Sequence, residues 1–191
     1  MARTYIKGKR AEQEAETRQR IVEAALALHG EVGPNATTIS MIADRAGVQR
    51  HTVYAHLPDE RATFMACSGL HLERAPVPAP HDWSAIDDPA ARLRAALTAL
   101  YGWFERNERL LALVFRDVET NDTLREVSEL RFAPPMGAIH QSLAVGLPAG
   151  TGPALTLALS FHTWRTLARG TGLDAAGAVS LMERTILAAG A

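Results

Sequence analysis

The sequence predicts an all-α protein of about nine helices. Apolar residues recur every three or four positions along most of the chain, which is the period of an amphipathic helix. No segment alternates apolar and polar residues as a half-buried strand does, and no hairpin turn signal occurs. Hydrophobic residues make up 47% of the 191 residues, enough to bury a core in one large domain or two small ones.

The first predicted helix is "TRQRIVEAALALHGEVG", with Thr17 as its N-cap and Gly33 as its stop signal. Five residues at helical spacing form its inner face: Ile21, Ala24, Ala25, Leu28 and His29. Residues 1–16 are expected to form a basic arm before this helix. The first ten residues contain no acid and four bases: Arg3, Lys7, Lys9 and Arg10.

Two short helices are predicted next. "TTISMIADRAG" is expected to be capped by Thr38 and ended by Gly47, and "QRHTVYAHL" follows after a very short turn. A pair of short helices joined at a glycine turn is typical of a helix-turn-helix. The same pattern also occurs in three-helix clusters that bind no DNA, so the pattern alone leaves both interpretations open.

The second helix of this pair is the candidate recognition helix. Val53 and Leu57 are predicted to face the core because they stand four residues apart. The exposed N-terminal end then carries Arg50, His51 and Thr52, whose side chains can reach base edges in a major groove.

The rest of the chain continues in helices. "PDERATFMACSGLHLERA" is predicted to begin a fourth helix at Pro58 or Asp59, which closes a domain over residues 17–74. Residues 75–89 are proline-rich and are interpreted as a linker. Residues 90–191 form a second helical domain, with a break or kink predicted at Pro134–Pro135. Its predicted helices are "PAARLRAALTALYGWFERN", "ERLLALVFRDVE", "LREVSELRF", "MGAIHQSLAVGL", "GPALTLALSFHTWRTLARG" and "LDAAGAVSLMERTILAAG".

The run from residue 17 to residue 64 resembles the N-terminal domain of the tetracycline-repressor (TetR) family of bacterial transcription regulators. The matching residues are Ile21, Ala25, Leu28, Gly33, Thr37, Thr38, Ile42, Ala43, Ala46, Gly47, Val48, Arg50, Thr52, Tyr54, His56, Pro58 and Phe64. The resemblance implies a homodimeric regulator, most often a repressor, whose third helix enters the major groove of an operator. It also implies a C-terminal domain that binds a small effector and then releases the DNA.

The expected DNA contacts divide into two groups. Arg50, His51 and Thr52 are expected to contact bases. The DNA backbone is expected to be held by Thr37, Thr38, Tyr54, His56, Arg61, Lys7, Lys9 and Arg10.

Three positions depart from the family pattern. Gln49 stands where a better N-cap is usual, so the recognition helix is expected to be less well capped. His29 replaces a usual Phe in the first helix, as either a hydrogen-bonded core histidine or a functional or metal-binding one. Glu60 replaces a usual Lys that contacts phosphate, and our hypothesis is that Arg61 or the basic arm partly replaces this contact.

The last two helices are rich in alanine and glycine, which permit close packing. By resemblance, residues 152–190 would form a four-helix bundle in a homodimer, although these helices could also pack within one subunit. An effector pocket for a medium-sized, mostly apolar or aromatic molecule is predicted on the middle helices. Its candidate residues are Trp103, Phe104, Phe115, Met136, His140, Phe161, His162 and Arg165.

Other classes of protein have weaker support. The sequence contains no glycine-rich phosphate loop, no HExxH, no CxxC and no GxSxG motif, so neither an enzyme nor a resident cofactor or metal is expected. A helical interaction module without DNA binding is the remaining alternative. Cys67 is the single cysteine, and no long apolar run follows the N-terminus, so we expect a cytoplasmic protein.

Overall fold

A computed structural model of the chain describes residues 2–190, without the side chains of residues 2–8 and 10. The described residues form α-helices and no strand, which confirms the predicted all-α class. The helices are α1 (Ala2–Glu31), α2 (Ile39–Ala46), α3 (Arg50–His56), α4 (Glu60–Arg74), α5 (Pro89–Asp117), α6 (Asp122–Ala144), α7 (Gly152–Ala158), α8 (Phe161–Arg165) and α9 (Ala175–Ala188).

The chain divides into two compact units. The first contains the residues up to Pro76 together with Arg109–Glu129, and the second contains Val77–Glu108 together with the residues from Leu130 onward. The end of α5 and the start of α6 therefore belong with α1–α4. The linear boundaries expected at residues 16, 74 and 89 stay a prediction.

In the first unit, the N-cap predicted at Thr17 is wrong, because α1 begins at Ala2. The Thr17 hydroxyl instead donates to the Gln13 carbonyl, 2.8 Å away, inside the helix. Residues 9–16 contain neither Pro nor Gly and are rich in good helix formers, so the helix extends back through the predicted arm. The Lys9 side chain is exposed, whereas the side chains of Lys7 and Arg10 lie outside the described residues.

The boundaries of α2 are confirmed. The Thr38 side chain accepts a hydrogen bond from the Met41 amide at 3.2 Å, and Gly47 ends the helix in the left-handed conformation with φ of 65°. α1 packs against α2 and α4 around a continuous apolar core. The core contains Ile21, Val22, Ala24, Ala25, Leu28, Ile42, Ala43, Ala46, Val53, Leu57 and Cys67.

Two predicted interruptions do not occur. α5 is one helix where two were expected, since no Pro or Gly separates "FERN" from "ERLL". α6 continues through Pro134 and Pro135, so the predicted break is wrong. Each proline removes one backbone donor, and the helix carries buried side chains both before and after the pair. These side chains are Leu124, Val127, Ile139 and Leu143.

After residue 150, the structure has interruptions that the sequence did not predict. The single helix predicted over "GPALTLALSFHTWRTLARG" is α7, then α8, then a π-helical turn over Thr166–Gly170. Ser160 causes the first interruption, because its extended backbone and side chain cap a new helix by accepting from the His162 amide. α9 begins at Ala175, within the predicted segment, and the Asp174 side chain caps it by accepting from the Gly177 amide at 2.7 Å.

Candidate nucleic-acid interface

The two faces of α3 differ in burial. Val53 and Leu57 are 0% and 1% exposed, so they anchor the helix to the core as predicted. Arg50 and His51 are exposed and Thr52 is partly exposed. The three residues expected to contact bases therefore share the solvent side of the N-terminal end of α3.

The N-terminus of α3 lacks a side-chain cap. Gln49 has extended backbone angles, but its side chain makes no capping hydrogen bond, which confirms the expected weak cap. Only the Gln49 carbonyl contributes, accepting from the amides of Thr52 and Val53 at 2.9 and 3.3 Å.

Thr37 and Thr38 use their hydroxyl groups differently. The Thr37 hydroxyl donates to the Gly33 carbonyl at 2.8 Å and closes the turn after α1. The Thr38 oxygen accepts from the Met41 amide, which leaves its hydroxyl proton available for a phosphate oxygen. Thr38 can therefore cap α2 and contact DNA at the same time, whereas Thr37 would have to give up its bond.

Tyr54 and His56 follow on the later part of α3. Tyr54 is 50% exposed, an unusual exposure for a large aromatic side chain, and His56 is partly exposed in the last turn. A phenol hydroxyl and an imidazole nitrogen are both suitable partners for a phosphate oxygen.

The start of α4 carries three charged residues with separate partners. The Asp59 carboxylate caps the helix by accepting from the Ala62 amide at 2.7 Å. The Glu60 carboxylate accepts from the Asn121 side chain at 3.0 Å. The Arg61 guanidinium donates from Nε and Nη2 to one Glu126 oxygen, at 3.2 and 3.0 Å.

A polar network holds the turn between α1 and α2 in place. The Asp117 side chain, in a residue only 4% exposed, accepts from the Asn35 amide at 2.9 Å and from Arg116 Nε at 2.7 Å. The Asn35 side chain donates to Thr120 at 3.1 Å and accepts from Asn121 at 2.9 Å. The turn between α5 and α6 thereby orients the segment that leads into Thr37 and Thr38.

Sequence reasoning missed this network. The partners of Asn35 stand more than 80 residues away along the chain, so no local pattern joins them. One local signal was Gly33, whose φ of 100° and close approach to the Asp117 carboxylate leave no room for a Cβ.

His29 is buried in the first unit, with 4% exposure and its ring centroid 5.7 Å from that of Phe64. Burial lowers the pKa of His29 to about 4, against an opposing effect of the Asp117 charge. The imidazole is therefore neutral at neutral pH. No group of three or more His, Cys, Asp or Glu side chains among the described residues is arranged to hold a metal ion.

A cavity of about 200 Å³ lies beside His29 in the same unit. It is lined by the apolar side chains of Ile42, Leu57 and Phe64 and also by Tyr54. An imidazole fills less volume than a phenyl ring, so a phenylalanine at position 29 could extend into this space.

The predicted effector residues do not share one environment. Trp103, Phe104 and Phe161 are buried in an aromatic cluster of the second unit, with the Phe104 and Phe161 centroids 5.6 Å apart. Phe115 belongs to the first unit. Three further candidates are partly or fully exposed: Met136, His140 and His162.

Two of the polar effector candidates have partners in the second unit. His140 Nε2 lies 3.3 Å from the Thr156 hydroxyl. The exposed Arg165 guanidinium lies 3.6 Å from a Glu108 carboxylate oxygen. The effector pocket itself stays a prediction.

Comparison with known proteins supports the assignment of the N-terminal segment. Residues 21–60 match the family model described as bacterial regulatory proteins, tetR family. These residues form a tetR-family domain. The tetR-family domain comprises the helix-turn-helix described above, so the resemblance found in the sequence is confirmed there.

Solved structures of regulators share the fold over most of the chain. NalD, the secondary repressor of the MexAB-OprM multidrug efflux pump in Pseudomonas aeruginosa, is 23% identical, with a TM-score of 0.64 and coverage of 92% of this chain and 97% of that chain. The TetR-family regulator PfmR from Thermus thermophilus is 20% identical, with a TM-score of 0.61 and coverage of 88% and 92%.

A TetR-like transcriptional regulator from Rhodococcus sp. RHA1 is 17% identical, with a TM-score of 0.57 and coverage of 89% and 93%. At identities this low, the similarity to these structures shows a shared fold and nothing more. No curated protein matches the chain significantly. No helix among the described residues is long and apolar enough to cross a membrane.

Proposed function

We propose that the chain is a sequence-specific transcriptional repressor that binds its operator as a homodimer in the cytoplasm. A small, largely apolar effector in the second unit releases it from DNA. The observation that carries this proposal is α3, which exposes Arg50, His51 and Thr52 while burying Val53 and Leu57. Such a helix, held against a compact three-helix core, has the geometry needed to enter a major groove.

Residues that contact bases and residues that contact the DNA backbone should affect binding differently, and this difference can be tested directly. A random-sequence duplex pool is selected with the wild-type protein, and binding is then measured by fluorescence anisotropy. Arg50→Ala and Thr52→Ala should relax the preference at particular base pairs, because a bidentate arginine–guanine pair discriminates by about 1–3 kcal/mol. Tyr54→Phe should weaken binding to all sequences by a similar factor.

The matched control is Arg106→Ala, which removes an exposed positive charge from the second unit and should leave sequence preference unchanged. If the wild-type protein selects no sequence, or if Arg106→Ala changes preference as much as Arg50→Ala does, the proposed function is wrong.

Release by an effector is tested on the same complex. Apolar and aromatic compounds that raise the melting temperature should also lower DNA affinity.

A further inference from the structure

The Arg61–Glu126 ion pair lies at the start of α4 in the first unit. Arg61 stands in the first turn of α4, and Glu126 projects from the first turns of α6. Both N–H groups that Arg61 uses, Nε and Nη2, point to the same Glu126 oxygen. The side chains are 50% and 61% exposed, so solvent and other anions can reach the pair.

The edge of Arg61 that meets Glu126 is one of the two edges with which a guanidinium can bind a phosphate. Nε and Nη2 form the fork with which a guanidinium binds carboxylate or phosphate oxygens. A fork already directed at a carboxylate is neutralised and cannot bind a second anion in the same geometry. A phosphate can therefore use this fork only after it has displaced Glu126.

We propose that the Glu126 carboxylate acts as an internal competitor of DNA phosphate for Arg61 and thereby lowers the affinity of the protein for DNA. The inference rests on the proposed function and deepens it by naming a residue that sets DNA affinity without contacting DNA. Glu60 stands beside Arg61 and is bonded to Asn121. Arg61 is therefore the cation that the first turn of α4 offers to a phosphate.

The size of the effect follows from the exposure of the pair. Exposed ion pairs change an equilibrium constant by about two- to fivefold. In the proposed homodimer the effect acts once per subunit, so removing Glu126 should tighten DNA binding by about 4- to 25-fold. General repulsion between a surface carboxylate and DNA is a smaller, screened effect, and it must be measured separately.

α6 provides a matched control for that repulsion. Glu129 is exposed, lies three residues after Glu126 on the same helix and does not pair with Arg61. Glu129→Gln removes the same charge as Glu126→Gln while leaving the Arg61–Glu126 pair intact. The difference between the two variants isolates the competition for Arg61.

The experiment uses the full-length wild-type protein and four variants: Glu126→Gln, Glu129→Gln, Arg61→Ala and the double variant Arg61→Ala/Glu126→Gln. The probe is a duplex of about three helical turns, selected by the wild-type protein from a random pool. A shuffled duplex of the same length serves as the second probe. Affinity is measured over a series of salt concentrations.

Glu126→Gln should bind about 4- to 25-fold more tightly than wild type to both probes, with a steeper dependence on salt. Glu129→Gln should change affinity by less than about twofold. Arg61→Ala should bind more weakly, with a salt slope shallower by about 0.9 per lost phosphate contact. The double variant should match Arg61→Ala, because Glu126 then has nothing to compete for.

Equal effects of Glu126→Gln and Glu129→Gln would overturn the inference and leave the proposed function standing. The same conclusion would follow if the tighter binding of Glu126→Gln persisted in the Arg61→Ala background. If the wild-type protein bound neither probe, the proposed function would fail and this inference with it. Thermal unfolding of all five proteins shows whether the comparison is made between folded molecules.

Discussion

At the scale of single residues, His29 illustrates how a polar side chain in an apolar core alters stability. The folded protein holds the pKa of His29 at about 4 because burial disfavours the charged imidazole. In an unfolded chain the pKa of histidine is about 6.5. Between these two values the unfolded state binds a proton that the folded state does not bind, so acid favours unfolding in this window.

We therefore predict that the free energy of unfolding decreases as the pH is lowered from about 6.5 to about 4, by up to about 3 kcal/mol. Above pH 6.5 this contribution should be constant, because the imidazole is neutral in both states. Urea unfolding at a series of pH values measures the effect directly.

The control is His29→Phe, which lacks the titrating group. It should lose this part of the pH dependence and gain about 0.5–2 kcal/mol at neutral pH, because a phenyl ring fills part of the adjacent cavity. An unchanged pH dependence in His29→Phe would assign the acid sensitivity to other groups. His71 is one such group, since burial also lowers its pKa.

At the scale of single elements, α3 is a helix that its own sequence supports poorly. It has seven residues, fewer than an isolated helix needs in water, and its N-cap contributes no side-chain bond. Its position depends on Val53 and Leu57, which are buried against α1 and α2. A short helix of this kind owes its stability to tertiary packing.

We predict that Gln49→Ser stabilises the protein by about 1 kcal/mol, because a serine hydroxyl can accept from an α3 amide where Gln49 makes no such bond. Gln49→Ala should leave the stability within about 0.5 kcal/mol of wild type, since no capping bond is lost. Urea unfolding without DNA separates this effect from any change in operator affinity. Equal stability of the Ser and Ala variants would contradict the expected gain.

The turn between α1 and α2, like α3, depends on tertiary contacts for its position. Thr38 starts α2 through a local cap, but the segment leading to it is held by Asp117 and Asn121 from a distant part of the chain. Local capping therefore sets where α2 begins, and tertiary hydrogen bonds set where the turn before it lies. The two kinds of contact together orient the candidate phosphate contacts at Thr37 and Thr38.

At the scale of the whole molecule, the proposed homodimer supplies the second half-site contact that a single helix-turn-helix lacks. Residues 152–190 are the proposed interface, and they present one large exposed apolar side chain, Leu157, which is 53% exposed. An exposed leucine among small residues is compatible with burial in a partner subunit. The second unit would then serve both effector binding and pairing.

We predict that Leu157→Arg converts the proposed dimer into monomers and reduces operator affinity, because an unpaired charge would be buried at the proposed interface. The matched control is Leu130→Arg, since Leu130 is 52% exposed but lies outside the proposed interface. Light scattering measured with size-exclusion chromatography reports the mass of each variant. A dimeric Leu157→Arg protein, or a monomeric Leu130→Arg protein, would exclude this interface.

The sequence predicted the parts that depend on short-range contacts. Helical periodicity, the Thr38 cap and the Gly47 stop act within a few residues, so α2, α3 and the inward position of Val53 and Leu57 were predicted correctly. Local rules failed at the N-terminus of α1, at the Pro134–Pro135 pair and at Ser160. Good helix formers can extend a helix or remain in an arm before it. A proline pair can break a helix or be accommodated within it, and a serine can lie inside a helix or cap a new one.

The sequence alone determined that this protein is all-α and that an N-terminal helix-turn-helix exposes Arg50, His51 and Thr52 on one short helix. Only the tertiary structure showed that Arg61, expected to contact DNA phosphate, is paired with Glu126, and that the turn before α2 is held by Asp117. The physical reason is distance along the chain. Helix periodicity and capping act over three or four residues, whereas these partners stand 65 and 82 residues apart and meet only when the chain folds.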